Sequence, residues 1–169
     1  DYTGSRDIIY GVEEFENFEL YVEWKIPKGG NSGIFYHLKE GYDGASVVAP
    51  EYQLLDDENY AEIHNFELKD WQLTATDYAM YLPDNSQKVL YPPGKWNSSR
   101  IVFTVENAEY WLNGKKVLSF TPWSEDWYKR RNSGKWSNAP DYGKYRKGYI
   151  GFQDHGSNLS FRKIKIKKL

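Results

Sequence analysis

The sequence contains no cysteine, a single methionine and no long apolar run. Without cysteine the chain can form no disulfide framework, no thiol nucleophile and no zinc–cysteine site. No apolar stretch approaches the roughly 18 residues that a transmembrane helix requires, and no signal peptide is recognisable in the residues given. We therefore predict no transmembrane segment and no chemistry that depends on a thiol.

An excess of positive charge is also missing. The formal net charge is −2 and the isoelectric point is near 6.0, whereas proteins that bind nucleic acid usually carry a basic patch. The one basic run, at residues 162–168, alternates lysine and arginine with apolar residues. Such alternation is typical of a strand with one solvated face, and we predict no nucleic-acid partner.

Several well-known catalytic signatures are absent. The chain has no Gly-x-Ser-x-Gly elbow, Walker loop, His-Glu-x-x-His motif or EF-hand loop. The acidic cluster Asp56-Asp57-Glu58 is more typical of a solvated loop than of a calcium site. Retaining glucanases on sandwich folds place two carboxylates about 5 Å apart, but the corresponding strand here, Glu51-x-Gln53-x-Leu55, carries one. Ordinary two-carboxylate glycosidase chemistry is therefore disfavoured.

Period-two alternation of apolar and polar residues dominates what is present. It is clearest in Phe18–Ile26, and the dipeptide Asn113-Gly114 predicts a tight hairpin because a type I′ turn needs positive φ at both positions. A short helical turn is expected within residues 58–70. Further strands are predicted at 33–38, 51–55, 76–81, 100–105, 108–112, 116–120, 148–153 and 159–166. This pattern predicts one all-β domain over residues 1–169, a β-sandwich of two antiparallel sheets.

Aromatic residues are unusually frequent, at 18% of the chain with 15 tyrosines and 7 tryptophans. Sugar-binding surfaces use such rings, because the apolar face of a pyranose stacks on them, but strands are also rich in aromatics. Two predicted connections, 83–99 and 121–147, are long enough to be binding loops, and they carry Trp96 and Trp136. The alternative is that these rings pin the loops to the sandwich.

Strand alternation also predicts which side chains share a sheet face. Ile34, Tyr36 and Leu38 are assigned to the core, and Tyr81 is a further candidate for the opposite face. That face would gather Phe35, His37, Glu51, Gln53, Gln153 and His155. It is either a hydrogen-bonding surface for a ligand or the ordinary solvated face of an antiparallel sheet.

Several motifs, taken in order, resemble the 3-keto-disaccharide hydrolase domain family. The motifs are Asn31–Phe35, Glu51–Asp57, Gly94–Asn97, Trp111–Gly114, Gly148–Gly156 and the closing Phe161–Ile164. The resemblance implies a concanavalin A-like jelly roll of the kind found in exported, glycan-degrading bacterial proteins, hence a periplasmic or extracellular location. The chain departs from the family pattern at His37, where arginine is frequent, and in an N-terminal strand region that is shortened or missing.

The resemblance further implies a carbohydrate ligand and an elimination reaction. A ketone at C3 acidifies the C2 hydrogen, so that the aglycone can leave from C1 and water can add, with one general base sufficing. Glu51 or His155 is the implied base. Enolate and hydroxyl contacts are assigned to Asn31, Gln53 and Gln153, weaker proton donation to His37 and Tyr81, and apolar contacts to Phe35, Trp96 and Trp136.

Two further points stay open on the sequence alone. No cofactor is predicted, but a divalent metal held by Glu51 and His155 could replace the neutral donors. A non-catalytic, lectin-like carbohydrate-binding module would need the same aromatic and polar surface without a base, and a purely structural domain would need neither.

Overall fold

The computed structural model describes residues 8–169, which form nine strands connected by loops and short helices. The strands are β1 (Ile8–Phe15), β2 (Phe18–Lys25), β3 (Asn31–Leu38), β4 (Glu51–Leu55), β5 (Asn97–Phe103), β6 (Ala108–Leu112), β7 (Lys115–Phe120), β8 (Gly148–Gln153) and β9 (Ser160–Lys168). The helices are α1 (Tyr60–His64), α2 (Glu125–Ser133) and three 3₁₀ turns at Ala45–Val47, Asp70–Gln72 and Lys135–Asn138. No helix in this range has the length and apolar character needed to cross a membrane.

The strands form two antiparallel sheets, ordered β1-β8-β3-β4 and β7-β6-β5-β2-β9. The predicted all-β sandwich is thereby confirmed. In β2 the core residues Phe18, Leu20, Val22 and Trp24 alternate with more accessible ones, and β5 and β6 alternate likewise. The five-stranded sheet thus has one core face and one more accessible face, as its sequence pattern predicts.

The four-stranded sheet differs, because β3 and β4 are buried on both faces. All five residues of β4 and seven of the eight in β3 are buried. One face packs into the main core through residues such as Ile34, Tyr36 and Leu54. The other is covered by the segment around Ala45–Val47, where Phe35 belongs to a second, smaller apolar cluster. The four-stranded sheet is therefore the one whose outer face is covered by a loop segment.

The predicted strand at 76–81 is wrong. Residues 73–81 form turns with two isolated bridges and with positive φ at Ala75 and Ala79, which regular strands do not adopt. Their backbone instead pairs with the free edge of β4: the amides of Ala75 and Tyr78 donate to the carbonyls of Gln53 and Glu51, at 2.9 Å each. The segment thus covers an edge that would otherwise be open.

The alternation pattern did not predict two other elements, α2 and β1. The 121–147 connection contains α2, whose start is capped by Ser124 and whose first turn holds Glu125 and Asp126, as helix N-termini favour. Strand β1 pairs with β8 despite an irregular register between Tyr10 and Glu14. The expected shortening of the N-terminal strand region concerns residues that lie partly before Ile8 and so partly outside the described residues.

A bulge near the end of β3 overturns one predicted face assignment. His37 has φ of 53°, and the pairing of β3 with β8 shifts register between Phe35 and Leu38. The imidazole therefore turns to the core side, 4.7 Å edge-on from the Phe103 ring, and its Nε2 donates to the carbonyl oxygen of Glu16 at 2.9 Å. Burial lowers the pKa of His37 to about 4, so it is a neutral packing residue.

The close approach of β8 to this bulge requires glycine at position 148. A Cβ there would lie 2.4 Å from the carbonyl carbon of His37 and 2.5 Å from the carbonyl oxygen of Leu38, both backbone atoms. We expect Gly148→Ala to lower the free energy of unfolding in urea by about 2–3 kcal/mol. Gly11→Ala is the matched control, because within the described residues a Cβ added there would meet nothing within 4 Å beyond its chain neighbours. Equal losses in the two variants would contradict this account.

Candidate active site

A recess of about 430 Å³ lies on the outer face of the four-stranded sheet. Five of the side chains predicted for this face line it, namely Phe35, Glu51, Gln53, Gln153 and His155, and Asn31, predicted as a substrate contact, lines it as well. The rest of its wall comes from β1, from the loop around Ala45–Val47, from the segment that covers β4 and from the 3₁₀ turn Lys135–Asn138. The two-residue period of three neighbouring strands thus places most of the predicted polar set in one concave site.

Glu51 is the buried one of the two carboxylates that line this recess, the other being the exposed Asp43. The Glu51 side chain is 5% exposed, and in the described part of the chain no hydrogen bond or ion pair to it is found. It lies over Gly33 on the adjacent strand, where a Cβ would come within 1.9 Å of the Glu51 Oε1. Glycine at position 33 therefore leaves the space that the carboxyl group occupies.

Burial raises the pKa of Glu51 to about 8, with a further increase from Asp77 and an opposing decrease from Lys135. Asp77 itself is fully buried on the core side, where its Oδ1 accepts a hydrogen bond of 3.3 Å from Tyr110. Burial raises its pKa to about 8 as well. Desolvation is the main cause for both groups, since an ionised carboxylate is penalised in a low-dielectric interior. Glu51 is thus poised to exchange a proton near neutral pH.

Amide side chains surround the carboxyl group. Gln53 Nε2 donates to Asn31 Oδ1 at 3.4 Å, while the Oε1 atoms of Gln53 and Gln153 are buried and have no hydrogen-bond partner within residues 8–169. Buried polar atoms are normally paired, so two unpaired carbonyl oxygens on residues that line one recess suit a ligand that brings its own donors. Hydroxyl groups of a sugar are donors of that kind.

Four predicted site residues lie elsewhere. His37 is on the core side of the sheet, as described above. Tyr81 stacks on Phe120 with 4.5 Å between ring centroids, and its hydroxyl donates to Asp126 at 2.8 Å. Its predicted place on the outer face is therefore wrong, because the segment that carries it is not a strand.

The two loop tryptophans do not line the recess either. Trp96 lies beside the five-stranded sheet, where the guanidinium carbon of Arg162 is 3.9 Å from its ring centroid. Trp136 is 4% exposed and stacks 4.3 Å from Tyr142, and its Nε1 donates to the carbonyl oxygen of Tyr78 at 3.1 Å. Trp136 therefore fits the alternative stated above, in which the loop aromatics pack the loop against the sandwich.

The sequence pattern missed Asp43, Ser46, Tyr78 and Lys135, which also line the recess. Asp43 and Ser46 belong to a loop with no periodicity, and Tyr78 lay in the segment that we predicted as a strand. Lys135 follows Gly134 at the end of α2. Only the length of the 121–147 connection signalled that part of it reaches a site.

The residues present do not make a good metal site. No group of three or more histidine, aspartate or glutamate side chains in residues 8–169 is arranged to hold a metal ion. Glu51 and His155 alone would leave most coordination positions to water or substrate. The side chains of the recess therefore suit proton transfer and hydrogen bonding better than they suit metal coordination.

The raised pKa values of Glu51 and Asp77 predict that stability decreases with pH. Between about pH 5 and 8 the native carboxyls keep protons that the unfolded chain has lost, so the unfolded state binds fewer protons and the free energy of unfolding falls. We expect Glu51→Gln to remove part of this slope. Between pH 5 and pH 8, the free energy of unfolding should fall less in Glu51→Gln than in the wild type, by on the order of 3 kcal/mol. Urea unfolding across this pH range measures it.

The exposed Glu62 on α1 supplies the control, since Glu62→Gln should leave the pH dependence as in the wild type. Identical slopes for the wild type and Glu51→Gln would show that Glu51 is not buried in its protonated form.

Comparison with known proteins agrees with the fold and the motifs. A curated relative from Bacteroides thetaiotaomicron, a 3-keto-disaccharide hydrolase, is 34% identical over an alignment that covers 96% of this chain. The chain spans 62% of that relative's length. A protein from Parabacteroides distasonis, provisionally assigned as a glycosyl hydrolase, has a crystal structure that matches with a TM-score of 0.90 at 46% identity, covering 97% of this chain and 75% of its own.

A more distant structure shows how widely the sandwich is shared. A carbohydrate-binding module from Bacillus subtilis matches with a TM-score of 0.58 at 9% identity, over 95% of this chain and 81% of the module. At that identity the likeness shows the fold alone.

Residues 1–167 match the family described as the 3-keto-alpha-glucoside-1,2-lyase-like domain. With the jelly-roll fold and the ordered motifs, this match shows that the chain belongs to the 3-keto-alpha-glucoside-1,2-lyase-like domain family.

Proposed function

We propose that this chain cleaves 3-keto-glycosides by elimination of the aglycone followed by addition of water. The observation that carries the proposal is the buried carboxyl group of Glu51, which has no partner within residues 8–169 and lies in a recess lined by amide side chains. A group with a pKa near 8 is a stronger base than an ordinary carboxylate, which suits removal of a proton next to a ketone. The family match and the curated relative support the same reaction class.

In the proposed first step, the Glu51 carboxylate takes the proton from C2 of the sugar. The electron pair of the C2–H bond forms a C2=C3 double bond, and the negative charge moves to the oxygen at C3. The C3 carbonyl then re-forms, and the electron pair of the C2=C3 bond moves to form a C1=C2 double bond as the C1–O bond to the aglycone breaks. Water then adds to C1 and gives one proton to the group that protonated the aglycone oxygen, while C2 recovers a proton from Glu51, so that both the acid and the base are restored.

The remaining recess residues serve binding and proton transfer in this proposal. The unpaired Oε1 atoms of Gln53 and Gln153 accept hydrogen bonds from sugar hydroxyls, and Asn31 holds Gln53 in place. His155 protonates the departing oxygen, since an imidazole can carry a proton in either direction. Phe35 forms part of the apolar floor beneath the sugar.

A lectin-like module is the less favoured reading. Binding alone gains nothing from a buried, unpaired carboxyl group, which costs stability at neutral pH. A reaction that starts with proton abstraction requires such a group. The family match points to the enzyme in the same way.

The central test follows release of a chromogenic aglycone from a 3-keto-glucoside and from the corresponding plain glucoside. We expect the wild type to act on the keto substrate alone, because only the ketone acidifies C2. Removal of a general base typically costs about 10²–10⁴-fold in rate. Glu51→Gln should therefore lose turnover by a factor in that range. His155→Ala should lose more turnover on a substrate with a poor leaving group than on one with a good leaving group.

Glu62→Gln is the control for expression and folding, and circular dichroism verifies that each variant is folded. Full activity of Glu51→Gln would remove Glu51 as the base. Absence of turnover in every protein, with sugar binding still measurable, would favour the binding module.

A second test moves the carboxyl group without removing it. In Gly33→Ala the new methyl group would overlap the Glu51 Oε1 position, so the flexible end of the glutamate must shift. A misplacement of about 1 Å can cost on the order of 10²-fold in rate, and we expect a loss of that size in kcat. Gly11→Ala, in open space on β1, should retain wild-type activity. Wild-type kcat in Gly33→Ala would show that the position of Glu51 is not critical.

A further inference from the structure

Lys135 is a cation placed at the same recess as Glu51. It is the first residue of the 3₁₀ turn that follows α2, and the turn is anchored because Trp136, the next residue, is buried and bonded to the backbone of Tyr78. Sequence reasoning gave Lys135 no role, and the reaction steps above do not use it.

Three aromatic rings surround the ammonium group. Nζ lies 4.6 Å from the ring centroid of Tyr78, 5.2 Å from that of Trp136 and 5.3 Å from that of Trp71. It also lies 3.4 Å from the Tyr78 hydroxyl. Cation–π contacts of this kind restrain a lysine side chain that would otherwise sample many rotamers. The cage therefore holds a positive charge in one place at the edge of the recess.

No carboxylate neutralises this charge among residues 8–169, since Lys135 forms no ion pair there. Its charge is nevertheless felt at Glu51, where it opposes the effect of burial on the pKa. The two groups thus line one recess, interact electrostatically and do not touch. Asp43, Tyr78 and His155 are the other titratable groups of the recess, and Asp77 acts on Glu51 from the core side.

We propose that Lys135 is a catalytic residue whose ammonium group binds the C3 oxygen of the sugar and stabilises the enolate. The inference rests on the proposed elimination. When Glu51 removes the C2 proton, the electron pair moves to the C3 oxygen, and a fixed cation nearby compensates the new negative charge. The pair leaves that oxygen again when the C1–O bond breaks, so Lys135 needs to give up no proton and the step needs no further reactant.

The amide groups cannot supply this compensation equally well. Gln53 and Gln153 are neutral, so their amide groups can offer an enolate oxygen a hydrogen bond but no compensating charge, and their unpaired Oε1 atoms are acceptors that suit hydroxyl donors. Lys135 is exposed, but a charge that aromatic rings already hold in place is worth more than a mobile one, since less reorganisation accompanies the reaction. The chemistry therefore favours the caged ammonium as the oxyanion partner and the amides as partners of hydroxyls.

The test compares Lys135→Met and Lys135→Arg with the wild type on the 3-keto-glucoside. Loss of one oxyanion donor typically costs about 10²–10³-fold in kcat, and we expect Lys135→Met to lose that much while KM changes less. Lys135→Arg should recover part of the loss. Lys129→Met, an exposed lysine on α2, is the matched control and should behave as the wild type.

A second readout separates an electrostatic role from a structural one. Because the Lys135 charge favours ionised Glu51, Lys135→Met should shift the acidic limb of the kcat/KM pH profile to higher pH. Titration of ¹³C-labelled glutamate carboxyl groups by NMR, assigned with Glu51→Gln, should show the same upward shift without any substrate.

The outcomes distinguish this inference from the proposed function. Wild-type turnover with an unchanged kcat in Lys135→Met, or with an increase in KM alone, would overturn the role of Lys135 and leave the elimination intact. Absence of turnover in the wild type would overturn the proposed function. An unshifted Glu51 titration in Lys135→Met would show that the two groups are not coupled as the geometry indicates.

Discussion

The covering of β3 and β4 on both faces is the constraint on which the rest of this structure depends. One face of these strands is needed for the sandwich core, while the other forms the floor of the recess. The backbone of residues 73–81 satisfies the free edge of β4, and the loop around Ala45–Val47 packs over Phe35. Glu51 and Gln53 on the outer face of β4 are thereby removed from bulk water, and Glu51 is the one that carries a carboxyl group.

That arrangement joins stability and chemistry in one residue. A carboxyl group without a partner in the described protein prefers to keep its proton, and Asp77 on the core side reinforces this preference. The chain therefore becomes less stable as the pH rises toward the range in which Glu51 ionises, where it could act as the proposed base. Active sites commonly carry such a cost. Gly33 is the packing counterpart of the same arrangement, because it leaves the space that the carboxyl group fills.

Most of the buried aromatic residues lie on strands in the sandwich core, and those of the 121–147 connection order that loop. Trp127, Trp136 and Tyr142 stack on one another in the core, which ties the 121–147 connection to the sandwich. Only part of this stack reaches the site, through the ring of Trp136 beside the Lys135 ammonium. The excess of rings thus acts on the recess indirectly, by fixing a charged side chain at its rim.

The sequence by itself determined the strands with regular alternation, the Asn113-Gly114 hairpin and the clustering of Glu51, Gln53 and Gln153 on one face. A two-residue period acts locally and carries over to neighbouring strands in register. It could not reveal the bulge at His37 or the turns that carry Tyr81, because both depend on long-range packing that overrides alternation. Nor could it bring Lys135 to Glu51, since residues so far apart in the chain meet only when the sandwich closes. Local patterning decided which groups face outward, and tertiary packing alone decided which of them are desolvated and which charge they face.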